Sequence, residues 1–154
     1  MDLETEPMEQ WRDRPIHTLL ISGGFGALTA ARDSKFLENV VALAANAGRV
    51  GSVCTGALVL AASGLLNGHR AVTHWYSCDA LADQHSDVQV EPDRIVINDG
   101  GVWTSAGVTA GIDMALAMVA EDSGRNFAIR LAKILVVYMV RPRGPSQFSP
   151  TLLS

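Results

Sequence analysis

Short apolar runs closed by turn residues form the clearest pattern along the chain. They lie at His17–Ser22, Val50–Val53 and His69–Thr73, and each predicts a buried strand. Further along, Arg94–Asn98 and Val102–Ser105 flank the sequence Asp-Gly-Gly, which is typical of a tight β-hairpin. The two strands of this hairpin are therefore expected to be antiparallel.

Between these runs, apolar residues recur at intervals of three and four, which is the spacing of one helical face. One such helix follows Asp33 or Ser34, either of which can cap it, and Gly48 is expected to stop it. The other predicted helices lie at Ala57–Ser63, Trp75–Asp83, Thr109–Glu121 and Arg125–Val140. Strands and helices that alternate in this way predict an α/β fold with parallel strands.

The chain is expected to form one domain. Its 154 residues, of which 48% are hydrophobic and 18% charged, suffice for one substantial core, and no apolar stretch is long enough to span a membrane. The acidic segment 1–15 is expected to be poorly ordered and residues 16–140 to form the domain. Residues 141–154 contain three prolines and a glycine, which predicts a linker-like tail.

Composition narrows the possible partners and compartments. A formal net charge of −4, without clustered Lys and Arg, argues against direct contact with a nucleic-acid backbone. The N-terminus lacks the basic-then-apolar order of a secretory signal, so we expect a cytoplasmic protein in which Cys54 and Cys78 are free thiols. Neither CxxC nor HExxH spacing occurs, and no metal site or cofactor is expected.

Cys54 lies between a predicted strand and a predicted helix, at the carboxyl edge of the sheet, where α/β folds bind ligands. The partial positive charge at the start of the helix favours a thiolate, and Gly56 allows close approach. These features predict a reactive cysteine; the alternative is a small buried cysteine that only packs. Cys78 lies within a helix, where packing is the simpler interpretation.

A histidine and two glycines are expected at the same edge. A nucleophilic thiol needs a base or a charged partner, and His74 ends the third predicted strand, which brings it to the edge that holds Cys54 if the strands are parallel. The alternative is that His74 merely fills the mouth of the fold beside Trp75. Gly23 and Gly24 end the first strand there, and their N–H groups can stabilise an oxyanion, although a tight turn also explains them.

Three segments together resemble a known family: SGGFG at residues 22–26, SVCTGALVLAASGLLNGHRAVTHW at 52–75 and DGGVWTSAGVTAGIDMALAMV at 99–119. They resemble the ThiJ/PfpI group of class I glutamine amidotransferase-like domains. The resemblance implies a flavodoxin-like three-layer sandwich with a mostly parallel sheet, and a strained turn at the cysteine with a histidine on a later strand, as at Cys54 and His74. It also implies a ligand site that includes Gly23, Gly24, Thr55, Gly56 and Thr109.

Two branches of this group share these motifs. One is the N-terminal sensor domain of AraC-type transcriptional regulators, which a linker joins to a helix-turn-helix domain; the sequence RPRGPSQFSP near the end of the chain resembles such a linker. The other is the isonitrile hydratases, which also carry CTG and GVTAGID. The ending resembles the regulators more closely. We therefore expect a ligand-sensing, dimerising domain that binds an unidentified small molecule and reaches DNA only through a helix-turn-helix domain absent from this chain.

The N-terminus departs from the family pattern. Family members begin with a further strand, helix and strand that supply an acidic residue near the nucleophile, and residues 1–15 contain no apolar run that replaces them. We therefore expect a domain that is incomplete at its N-terminus, with an exposed sheet edge that favours self-association.

Two other interpretations stay open. In the first, the protein is a cysteine-dependent hydratase or amidase, in which Cys54 attacks an electrophilic carbon and His74 exchanges the proton. In the second, it is a structural or interaction fragment without chemistry of its own.

Overall fold

The structure, a computed structural model, describes residues 4–137 of the chain. The strands in this part are β1 (Ile16–Ile21), β2 (Ala47–Val53), β3 (Arg70–Ala71), β4 (Gln89–Val90), β5 (Val96–Asp99) and β6 (Val102–Ser105). The main sheet has the order β1-β2-β6-β5, in which β1, β2 and β6 are parallel and β5 is antiparallel to β6. β3 and β4 form a separate, parallel pair.

Helices cover both faces of the main sheet. They are α1 (Ala27–Ala30), α2 (Ser34–Ala44), α3 (Gly56–Ala62), α4 (Cys78–Gln84), α5 (Val108–Ser123) and α6 (Arg125–Ile134). Val50 and Val53 lie three residues apart on β2 and therefore point to opposite faces. Val50 packs in one cluster with α2 and α3, whereas Val53 packs in another with Met114 and Met118 of α5. The three-layer, mostly parallel α/β fold is thus confirmed.

The predicted hairpin is confirmed at β5 and β6. Gly100 and Gly101 connect the strands with φ values of +64° and +91°. A two-residue connection with positive φ at both positions matches the right-handed twist of the flanking strands, and glycine adopts it without a steric penalty.

The predicted strand His69–Thr73 differs from the structure. Only Arg70–Ala71 forms a strand, and it pairs with β4 rather than with the main sheet. The next N–H, that of Val72, donates to the Thr104 hydroxyl (3.0 Å). Because this bond joins the backbone to a side chain of β6, the segment packs beside the main sheet without extending it.

Two helix boundaries also differ from expectation. Gly48 does not stop α2: it lies within β2, where an added Cβ would stand 3.0 Å from the carbonyl oxygen of His17. The last helix ends at Ile134 rather than Val140, and Val136 has a φ of +54°. Residues 138–140 and the predicted tail 141–154 lie outside the described residues.

Part of the segment 1–15, which the sequence predicts to be poorly ordered, is held against α2. Met8–Trp11 forms a 3-10 helix. The Arg12 guanidinium donates to the Asn39 side-chain oxygen, and the Asn39 amide donates to the Glu9 carboxylate (3.0 Å). The backbone N–H of Glu9, and after it this bond from Asn39, lower the pKa of the Glu9 carboxyl.

Among residues 4–137, none of the helices combines the length and apolar character needed to cross a bilayer.

Candidate functional site

Cys54 stands at the turn between β2 and α3 with a φ of +57°, in the left-handed region that residues with a side chain rarely adopt. Its N–H donates to the carbonyl oxygen of Ser105, at the end of β6 (2.9 Å). Its own carbonyl oxygen accepts a hydrogen bond from the Thr73 hydroxyl (2.8 Å). The strained turn is therefore fixed from both sides, which confirms the predicted strand-to-helix position of Cys54 and leaves its side chain half-buried.

Gly23 and Gly56 have no space for a side chain. A Cβ at Gly23 would lie 2.7 Å from the backbone nitrogen of Thr55 and 2.9 Å from the Cβ of Cys54. A Cβ at Gly56 would collide with the carbonyl oxygen of Ile21. Both glycines are needed because the end of β1 presses directly against the Cys54 turn.

Gly24 is bonded to Thr55. The Gly24 N–H donates to the Thr55 hydroxyl (2.9 Å), and that hydroxyl donates to the Gly24 carbonyl oxygen (3.2 Å). With a φ of +127°, Gly24 has a backbone conformation that glycine readily adopts. The N–H that the sequence offers as an oxyanion donor is thus used to join this loop to the cysteine turn.

His74 approaches the turn along the chain from Thr73, and not from a strand next to β2. Its Nδ1 accepts a hydrogen bond from the Tyr76 N–H (3.4 Å), and its ring lies 5.5 Å from that of Trp75, centroid to centroid. In the described part of the chain, no hydrogen bond joins the Cys54 thiol to the His74 ring. The two residues share one edge of the fold, but they do not form a bonded thiol–imidazole pair.

Thr109 lies in the first turn of α5 and is exposed. Four residues before it, the carbonyl oxygen of Ser105 accepts a hydrogen bond from the Cys54 N–H. α5 itself packs closely on β2, since a Cβ at Gly111 would stand 3.1 Å from a methyl carbon of Val53. Thr109 is thereby held near the cysteine turn by the packing of its helix.

Thr73 is a site residue that the sequence pattern does not identify, although its hydroxyl holds the Cys54 carbonyl. Thr73 is fully buried. The Cys78 thiol, also buried, donates to the carbonyl oxygens of Thr73 (3.8 Å) and His74 (3.6 Å). The signal available in the sequence was a threonine after two apolar residues at the end of a predicted strand. A polar group at such a position needs a buried partner.

Across residues 4–137, the structure contains no group of three or more His, Cys, Asp or Glu side chains suited to holding a metal ion.

Comparison with known proteins identifies the family. The sequence profile of the DJ-1/PfpI family matches residues 5–121, most of the chain. The chain belongs to the DJ-1/PfpI family. The resemblance to ThiJ/PfpI domains is thereby confirmed, and the Cys54 turn lies inside the matched region.

Two kinds of curated relative match this DJ-1/PfpI chain. An isonitrile hydratase from Pseudomonas putida is 38% identical over 141 residues, which are 91% of this chain and 60% of the hydratase. The HTH-type transcriptional regulator CdhR from Pseudomonas aeruginosa is 34% identical over 129 residues, which are 84% of this chain and 38% of the regulator. The chain therefore spans well under two thirds of the length of these relatives.

Solved structures agree with the fold. A ThiJ/PfpI family protein from Pseudomonas syringae is 35% identical, with a TM-score of 0.74, over 91% of this chain and 58% of that one. An AraC family transcriptional regulator from Pseudomonas putida, at 16% identity, has a TM-score of 0.65 over 84% of this chain and 68% of that one. The second likeness concerns the fold alone.

Proposed function

We propose that this DJ-1/PfpI chain is a ligand-sensing domain of the kind found in AraC-type transcriptional regulators, with its ligand site at Cys54. Relatives that are HTH-type regulators support the proposal. In such a protein, DNA is contacted by a helix-turn-helix domain outside the DJ-1/PfpI domain. A regulator of this kind works in the cytoplasm, where both cysteines stay reduced.

The hydrogen bonding of His74 supports a role in ligand sensing over one in catalysis. Nucleophilic catalysis by a cysteine needs a base or a charged group within hydrogen-bond reach of the thiol. The His74 Nδ1 is instead bonded to the Tyr76 N–H. The backbone of Cys54 is held rigidly by Ser105 and Thr73, while its thiol has no bonded base in the described residues. Such a site suits binding better than turnover.

Self-association is part of the proposal. Within residues 4–137, β1 pairs only with β2 and forms one edge of the main sheet. Leu20 on this strand is 48% exposed, and a groove of about 420 Å³ runs between the strand and Met8, Phe36 and Leu43. An edge strand with free N–H and C=O groups and no proline or lysine within it is prone to pair with a second chain.

The proposal can be tested by thermal unfolding in the presence of small nitriles, amides and aldehydes. Binding to the folded state raises the melting temperature, and the rise continues with the logarithm of the ligand concentration once that concentration exceeds the Kd. We expect a rise with at least one of these classes in the wild type, and its loss in Cys54→Ser. Absence of any rise across all three classes, or a rise that persists in Cys54→Ser, would contradict a ligand site at Cys54.

A hydratase is the second candidate function. The isonitrile hydratase is 38% identical to this chain, against 34% for the CdhR regulator. In this alternative, the Cys54 thiolate adds to the terminal carbon of an isonitrile, and that carbon takes up a proton to give a thioimidate. Water then adds to the same carbon as the S–C bond breaks, which releases the N-substituted formamide and returns the thiolate and the proton. Formation of that formamide by the wild type, and not by Cys54→Ala, would favour the enzyme over the sensor.

A further inference from the structure

Three loops surround the Cys54 turn, and each is tied to it by a short contact. The loop after β1 is bonded through Gly24 to Thr55 (2.9 Å). The segment after β3 donates from Thr73 to the Cys54 carbonyl (2.8 Å), and β6 accepts the Cys54 N–H just before the third loop begins (2.9 Å). We call residues 22–26, 72–77 and 106–109 together the elbow rim.

The elbow rim exposes large apolar side chains in every one of its three segments. Phe25 in the first segment is fully exposed, at 104%. Trp75 and Tyr76 in the second are 50% and 79% exposed, and Val108 in the third is 81% exposed. An isolated exposed apolar residue is ordinary, but four of them on three segments that are joined to the turn of one half-buried cysteine provide apolar surface of the kind that marks a binding site.

The elbow rim contains no acidic residue and neither lysine nor arginine. Residues 22–26, 54–55, 72–77 and 106–109 contain no Asp, Glu, Lys or Arg. The first charged residues that follow the three rim segments in the sequence are Arg32, Asp79 and Asp113. An anionic or cationic ligand would therefore lose its hydration at the rim without gaining an ion pair, which costs free energy.

We propose that the Cys54 site binds an uncharged ligand with an apolar, preferably aromatic, group, and that Phe25, Trp75 and Val108 contact this group. The inference rests on the proposed ligand site at Cys54 and specifies the class of ligand. Flat aromatic side chains provide much apolar contact area at little conformational cost, and ring edges and faces pack favourably on another ring. The T-shaped arrangement of the Trp75 and Tyr76 rings, with centroids 5.7 Å apart, leaves an aromatic surface of this kind beside His74.

Three thiol-alkylating probes test the inference, because they carry the same reactive iodomethyl group but differ in charge and in the presence of an aromatic ring. Iodoacetamide is small and neutral, N-benzyliodoacetamide is neutral and aromatic, and iodoacetate is anionic. Each forms an S–C bond to the thiolate as the C–I bond breaks and iodide leaves. Rates at Cys54 are measured on the full chain by peptide mass spectrometry and divided by the rates for a neutral reference thiol, N-acetylcysteine amide.

We expect N-benzyliodoacetamide to be favoured over iodoacetamide at Cys54 by about fivefold relative to the reference, because the ring is partly removed from water on the rim. The ratio of the iodoacetate rate to the iodoacetamide rate should be no higher at Cys54 than at the reference thiol. Phe25→Ala, which changes a fully exposed side chain and leaves the fold intact, should reduce the benzyl preference, as should Trp75→Ala. Trp11→Ala is the matched control, since Trp11 is 38% exposed but lies in the 3-10 helix beside α2.

The outcomes separate this inference from the proposed function. Three outcomes would overturn the inference alone. Cys54 could be labelled without a preference for the benzyl probe, or with a preference for iodoacetate. The third outcome is a benzyl preference that persists in both Phe25→Ala and Trp75→Ala. If none of the three probes labelled Cys54, the proposed ligand site would fail, and the inference would fail with it.

Discussion

The hydroxyl of Thr73 donates a 2.8 Å hydrogen bond to the carbonyl oxygen of Cys54, and Thr73 itself is fully buried. This bond connects the segment that carries His74 to the backbone of the cysteine turn. The same carbonyl also accepts a longer hydrogen bond from the Ala57 N–H in α3 (3.4 Å), so the Thr73 hydroxyl supplies the shorter of its two bonds. The bond therefore stabilises both the fold and the geometry of the turn.

Thr73→Val removes this donor with little change in volume. We expect it to lower the free energy of unfolding by about 0.5–1.5 kcal/mol, the net contribution of a typical hydrogen bond, because the Cys54 carbonyl keeps only the longer bond from the Ala57 N–H (3.4 Å). Urea unfolding followed by circular dichroism measures the change. Thr29→Val, at an exposed threonine of α1, is the control and should change stability far less. Equal losses in the two variants would contradict a structural role for the Thr73 bond.

The positive φ of Cys54 predicts an unusual order of stability among its variants. At +57°, any side chain is strained, whereas glycine is not. Cys54→Gly should therefore be more stable than Cys54→Ala, by about 0.5–1 kcal/mol after the greater freedom of glycine in the unfolded chain is counted. Ala115→Gly, at an exposed position within α5, should show the opposite sign, because glycine weakens a regular helix. Chemical denaturation compares the variants.

Asp99 predicts a loss of stability in acid. The Arg70 N–H, bonded to the Asp99 carboxylate at 2.9 Å, lowers the pKa of this carboxyl below its ordinary value of 3.8, and the side chains of His69 and Arg70 add to the effect. A carboxyl whose pKa is lower in the folded state stabilises the fold at pH values above its pKa in the unfolded state. This stability is lost as the pH falls through its pKa in the folded state. The wild type should thus lose stability as the pH drops below about 4.

Asp99→Asn tests this expectation. The variant should be less stable than the wild type at pH 7, and the difference should shrink as the pH is lowered, because the titrating carboxylate has been removed. Urea unfolding at a series of pH values measures the effect. Asp93→Asn, at an exposed aspartate before β5, is the comparison. A constant difference between Asp99→Asn and the wild type at all pH values would argue against the assigned role of the carboxylate.

The free edge of β1 predicts self-association that charge can block. Leu20→Lys places a cation on this strand, and lysine on an edge strand opposes pairing with another chain. We expect sedimentation velocity to show a shift of the wild type toward a dimer or larger species as concentration rises, and a monomer for Leu20→Lys. Val41→Lys, at a similarly exposed apolar position on α2, should behave as the wild type. A wild type that stays monomeric at all concentrations would refute pairing at β1.

The elements that the sequence predicts well are those with a strong local signal. The Asp-Gly-Gly hairpin follows from glycines that tolerate positive φ, and the cap of α2 follows from Asp33, whose carboxylate accepts the Phe36 N–H at 3.1 Å. The position of Cys54 follows from a strand-like run before it and a helical run after it. In each case, neighbouring residues alone decide the structure.

The relation between Cys54 and His74 depends on long-range contacts, and the sequence could not give it. A strand was predicted to bring His74 to the edge of the main sheet, but the segment is diverted when the Val72 N–H bonds to the Thr104 side chain, 32 residues away. Likewise, the acidic segment 1–15 offered no apolar pattern, and its 3-10 helix is held by Asn39 from α2. Tertiary partners decide such segments, and propensity does not identify them.

The double hydrogen bond between Thr55 and Gly24 has a mechanical consequence. A molecule that pushes the Phe25 loop outward must break both bonds at the residue that follows Cys54, or else carry the start of α3 along with it. Contact with the loop is therefore transmitted through Thr55 to the helix that follows the cysteine.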